Sequence, residues 1–148
     1  MSLDVTLRGE NPFGHITGPQ IYIREDGQSK RLSREEWDKR FPGREPVTIE
    51  TREGELYSAN ITHNLTTMAD QAGVYQALWR PEEINATKAR DLIEPLTKGL
   101  ELLRNDPDLF KRFNPPNGWG TYEGLVDFVE GYLLACTAFP SAEIEISR

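Results

Sequence analysis

The chain has 148 residues, a formal net charge of −7, 37% apolar residues and 28% charged residues of both signs. That mixture predicts one folded domain spanning residues 1–148, with enough length to bury a core, and it favours a globular over a disordered chain. The acidic balance argues against nucleic acid as a partner, because phosphate backbones are held by basic stripes. The only basic concentration, Lys30 to Arg40, is interrupted by Glu35, Glu36 and Asp38.

The first 61 residues carry strand signals. Val5 and Leu7 alternate with polar neighbours, as do Ile21 and Ile23. Asp26-Gly27 between two such runs predicts a hairpin, since both central residues of a type I′ turn need positive φ. Ser33 with Glu36 three residues later is a capping box, opening a short helix over 34–41 that buries Trp37 and Phe41 before Pro42-Gly43 stops it. Alternation resumes at Val47, Ile49 and Thr51, and again from Leu56 to Ile61.

Helical spacing takes over from Leu65. Leu65, Met68, Ala69 and Ala72 form one apolar stripe, ended by Gly73. A further turn covers 74–79. Ala89, Leu92, Ile93, Leu96, Leu100 and Leu103 keep helical spacing, with a kink or break expected at Pro95. Asp106-Pro107 opens a short helix in the favoured cap-then-proline order. Thr121 caps the last helix, whose broad stripe of Leu125, Phe128, Val129, Tyr132, Cys136 and Phe139 marks it as the most buried. The closing "AEIEISR" alternates, and a lone strand must pair to satisfy its backbone groups, so it is expected in the N-terminal sheet. The fold class expected is α+β: a mostly antiparallel sheet of N-terminal strands plus the C-terminal strand, packed by the C-terminal helices.

Several chemistries are set aside by residue count. One cysteine, Cys136, excludes an internal disulfide and a multi-cysteine metal site, and with only His15 and His63 there is no zinc spacing. Glu123, Asp127 and Glu130 have helical spacing without the Glu-x-x-His partner of di-metal bundles, so they read as a solvated face. Neither standard phosphate loop nor a G-x-S-x-G elbow is present. No metal and no cofactor are therefore expected. No apolar run approaches the roughly 20 residues that span a bilayer, and no targeting pattern is read, so a cytoplasmic location is the expectation.

The polar cluster Asn60, Thr62, His63 and Asn64 lies where strand gives way to helix. Side-chain alternation puts His63 in the apolar row of Tyr57, Ala59 and Ile61, with Asn60 and Thr62 on the other face, and leaves Thr62 or Asn64 to cap the helix. A partly buried imidazole bonded to backbone accounts for this pattern. A ligand-orienting or general acid/base histidine accounts for it as well. The loop "FNPPNGWGTYEG" offers Asn117, Trp119 and Tyr122 beside the start of the last helix. It is either a connector tucking an aromatic over the core or one wall of a ligand site. If the two segments meet, they enclose a site. "LWRPEE", with Arg80, Glu82 and Glu83, is a weaker candidate for an anion.

The stretches "YSANITHNLTTMADQAGVYQALWRPEE", "FNPPNGWGTYEGLVDFVEGYLLAC" and "PSAEIEISR" resemble a group of small uncharacterised proteins of bacteria and their phages, over about residues 56–148. The resemblance implies an accessory role and assigns no chemistry to any residue. The expectation is thus a small cytoplasmic accessory protein binding a small polar ligand or a protein partner near His63 and the 117–122 loop. The alternatives are a hydrolase or transferase using His63 as acid or base, and a structural or assembly protein, which would form a homo-oligomer.

Overall fold

A computed structural model of the chain describes residues 2–10, 19–25, 28–46, 48–49 and 54–148. The architecture is α+β: antiparallel strands from the N-terminal part and a closing strand pack against C-terminal helices. In the first sheet, β1 (Ser2–Arg8) lies in the middle. β6 (Glu143–Ser147) and β5 (Glu55–Thr62) flank it, both antiparallel. Alternation sets the faces: Leu3, Val5 and Leu7 are wholly buried, while Asp4 and Arg8 stay in solvent. The closing strand therefore joins the N-terminal strands as its pattern predicts.

The remaining strands form a second sheet instead of extending the first. β2 (Gln20–Glu25) pairs with β3 (Gln28–Leu32) and with β4 (Thr48–Ile49) in the order β3-β2-β4. Glu25 faces Gln28 across the β2–β3 pair. Asp26 and Gly27 lie outside the described residues, as do Val47 and Thr51. The single sheet expected from the strand patterns is corrected to two because β4 spends its pairing on Gln20 and Ile21, leaving β5 to pair with β1.

Helix α1 (Arg34–Arg40) begins with both capping-box bonds: Ser33 Oγ accepts from the Glu36 amide at 3.1 Å, and Glu36 Oε1 accepts from the Ser33 amide at 3.2 Å. Its Trp37 forms a small core with Ile21 and Leu32, and Phe41 tilts against the indole at 4.4 Å just past the helix end. The main core lies between the first sheet and α2 (Thr66–Gln71), α3 (Tyr75–Trp79), α4 (Ile93–Asn105), α5 (Pro107–Lys111) and α6 (Tyr122–Ala138).

Pro95 does not kink a long helix. A 3-10 turn covers Ala89–Leu92 and α4 starts at Ile93, so the proline falls in a first turn whose amides need no intrahelical partner. Asp106 caps α5 and Thr121 caps α6 through side-chain oxygens, as expected. α6 touches β5 and also β2 and β3, joining the two sheets. A Cβ at Gly131 would stand 3.1 Å from the Tyr57 hydroxyl, so the small residue on that face permits the approach. Burial pushes the Cys136 thiol up, consistent with a core side chain. Among the described residues, no helix is long and apolar enough to cross a membrane.

Candidate functional site

β5 carries the polar cluster to the sheet end, and the chain then turns sharply. Thr62 is the last strand residue, and its Oγ1 accepts the Asn64 amide at 3.2 Å, opening a 3-10 turn over His63–Leu65. Thr62 is thus the cap, and the Asn64 side chain is released for other contacts. Leu65, on the far side of that turn, is buried in the main core and fixes the direction in which the chain leaves the sheet.

The loop before α6 reaches this junction. The Asn64 amide nitrogen donates to the Trp119 carbonyl at 3.3 Å across 55 residues of sequence. Next in the chain, Gly120 adopts φ +106° and lies so close that a Cβ there would stand 2.8 Å from Thr62 Cγ2 and 2.9 Å from Leu65 Cγ. Only glycine combines that angle with that approach. Asn117 shapes the loop from within, its Oδ1 accepting the Trp119 amide at 2.9 Å. Held this way, the Trp119 indole is 72% exposed, whereas Trp37 and Trp79 are buried.

Strand β1 supplies the rest. Its antiparallel register sets Ser2 beside Thr62 and Asp4 beside Asn60. The Asn60 amide nitrogen donates to Ser2 Oγ at 2.9 Å and to Asp4 Oδ1 at 2.6 Å. Together Ser2, Asn60, Thr62, His63, Asn64 and Trp119 line an open hollow of about 710 Å³. Of the seven candidate residues, the structure brings Asn60, Thr62, His63, Asn64 and Trp119 together. Asn117 stands behind the loop as a brace. Tyr122 is buried in the core, where its hydroxyl donates to the Leu103 carbonyl at 2.6 Å and its ring does not reach the hollow.

His63 is half-buried and lines the hollow. Its ring meets Trp79 edge-on at 6.2 Å, and Trp79 in turn stacks on Tyr75 at 5.8 Å. The backbone hydrogen bond expected for a core histidine is not made by Nε2, which is buried without a partner among the described residues. Among the described residues, neither a carboxylate nor a hydroxyl is bonded to that nitrogen.

The other candidates resolve into supporting contacts. In "LWRPEE", Glu82 accepts from Arg148 Nη1 at 2.9 Å, and the same guanidinium nitrogen donates to the Trp79 carbonyl at 3.0 Å. The chain's last residue thereby braces the segment beneath His63. The Glu82 carboxyl is held below its ordinary value, first by its own backbone amide and then by Arg148. Glu123 and Glu130 face Lys111 and Arg104, and no group of three acidic, histidine or cysteine side chains is placed to hold a metal among the described residues. His15 lies outside those residues.

Sequence reasoning did not find Ser2, Asp4, Trp79 or Gly120. Alternation does mark Ser2 and Asp4 as outward-facing, but nothing local says which strand lies beside them. Compared with protein-family models, with curated proteins and with solved structures, the chain has no match in any of the three.

Proposed function

We propose that the chain is a small accessory binding protein of the bacterial or phage cytoplasm, taking a polar group of a small ligand or of a protein partner into the hollow at the end of β5. One observation carries this reading: the Asn64–Trp119 bond joins two polar segments 55 residues apart, and an exposed indole lines the same hollow as polar side chains. An indole in water contributes nothing to stability by burial, and large exposed aromatics bounded by polar groups are what ligand-contacting surfaces present. Binding is the reading better supported: among the described residues His63 Nε2 has no hydrogen-bond partner, whereas the exposed indole and the asparagines line the hollow directly.

The test is thermal unfolding against a panel of small polar metabolites, amino-acid derivatives and nucleotides, on the wild type and on Trp119→Ala. A ligand of the hollow raises the wild-type Tm in a concentration-dependent way and leaves the variant unmoved. A panel that shifts neither protein, or both alike, overturns the assignment of the site.

A further inference from the structure

Resting on the reading of the hollow as a binding site, we infer that it takes a planar, hydrogen-bond-donating cation of the guanidinium class. The nitrogen ends of both asparagine amides are held by protein acceptors. Asn60 spends its two N–H groups on Ser2 Oγ and on the Asp4 carboxylate, and Asn64 donates to the Trp119 carbonyl. A carboxylate and a backbone carbonyl can only accept, so these bonds fix which end of each amide is nitrogen. What the two side chains offer a ligand is therefore their carbonyl oxygens, neither of which has a protein donor among the described residues.

Charge points the same way. Among the described residues, no lysine or arginine lines the hollow. The Asp4 carboxylate stands directly across the sheet from Asn60, and Asp4 is exposed to solvent. An anionic ligand would meet the asparagine oxygens, with the Asp4 carboxylate bonded behind Asn60 and no lysine or arginine among the described lining residues to offset them. A guanidinium meets the asparagine oxygens and, in the same hollow, the 72% exposed indole of Trp119, the aromatic side chain that attracts cations best. The formal net charge of −7 adds a field that draws cations to the surface. The guanidinium belongs either to a free small molecule or to an arginine side chain on a partner protein; the chemistry at the hollow is the same.

The experiment is an NMR titration of isotopically labelled protein at low ionic strength with N-acetyl-arginine amide, with its neutral isostere N-acetyl-citrulline amide, and with a short arginine-containing peptide. The expected result is movement of the Asn60 and Asn64 side-chain amides and the Trp119 indole signal with the arginine compound, and at least fivefold weaker binding of the citrulline compound. Asp4→Asn and Trp119→Ala, both surface changes, each weaken the arginine compound by about three- to tenfold. A peptide binding much more tightly than the single residue assigns the source to a protein partner; equal binding assigns it to a small molecule. Equal binding of the citrulline compound at the same signals overturns the cation inference while leaving the hollow a binding site. Movement confined to other signals, or none, also overturns it, and the metabolite panel then decides the site independently.

Discussion

Gly120→Ala separates the contact that builds the hollow from the ordinary cost of a strained turn. At φ +106° an alanine is strained by roughly 1–2 kcal/mol, as at any position where a side chain is forced to positive φ. Gly118, at φ +75° in the same loop, carries that conformational cost alone, since a Cβ there would meet nothing within 4 Å. At Gly120 the new methyl also meets Thr62 Cγ2 at 2.8 Å and Leu65 Cδ2 at 3.2 Å. Neither neighbour yields cheaply: Thr62 cannot rotate without dropping the Asn64 amide it caps, and Leu65 is sealed in the core. Overpacking of this kind costs about 1–3 kcal/mol. Gly120→Ala is therefore expected to fall about 2 kcal/mol below Gly118→Ala, which is roughly 4–8 °C in Tm for a chain of this size. Thermal unfolding followed by circular dichroism measures both variants. Equal Tm values would refute the close approach of the loop to the end of β5.

Three further outcomes follow from contacts elsewhere. Gly99→Ala would put a Cβ 2.0 Å from Val74 Cγ1, so the single variant is expected to lose about 1–3 kcal/mol in urea unfolding. Because Val74→Ala removes that neighbour, the double variant should cost less than the sum of the two; strict additivity would rule out the clash. Tyr122→Phe leaves the Leu103 carbonyl without its buried donor and is expected to cost about 1–2 kcal/mol, with binding at the hollow unchanged. Lost binding at full folding would put Tyr122 back in the site. Acid should destabilise the protein with two different salt responses. The Glu36 and Asp91 carboxyls are held below their ordinary values first by backbone amides, of Ser33 for Glu36 and of Lys88 and Thr87 for Asp91, whereas Glu25 and Glu145 are lowered first by hydrogen bonds from Arg40 and Arg8. A depressed carboxyl stabilises the fold above its unfolded value, 4.5 for Glu and 3.8 for Asp, and that contribution is lost as pH falls through the folded value. In Glu36→Gln and Asp91→Asn the lost acid dependence should be the same at low and high salt; in Glu25→Gln it should shrink at high salt, and the reverse pattern would contradict these causes.

Local chemistry made much of this fold readable in the residues themselves. The capping box at Ser33, the caps at Asp106 and Thr121, and the alternation of Leu3, Val5 and Leu7 all act within a few residues of chain, so their signals are local. Pro95 shows the limit of such signals. A proline inside an apolar stripe implies a discontinuity, but whether the helix kinks or simply begins later depends on how residues 89–92 pack. The division into two sheets is likewise a pairing choice: the alternation of β4 fits either sheet, and only its register with β2 decides.

The candidate site was half readable for the same reason. Asn60, Thr62, His63 and Asn64 announce themselves as a polar run at a change of period, and Trp119 as an aromatic in a glycine-rich loop. Their meeting depends on a backbone approach at Gly120 over more than 50 residues of sequence, which no periodicity encodes. Tyr122 lies three residues beyond Trp119, yet belongs to α6 and turns inward with that helix. Ser2 and Asp4 enter through the register of β1 against β5.

The joining of the Trp119 loop to the β5 end is the claim on which the site, its ligand class and the glycine prediction all depend. A nuclear Overhauser measurement between the Gly120 α-protons and the methyl groups of Thr62 and Leu65 tests it without any ligand. The account predicts strong cross-peaks to both, unchanged by Trp119→Ala. Their absence in the folded wild type, with the Trp119 loop tumbling independently of the sheet, would contradict it.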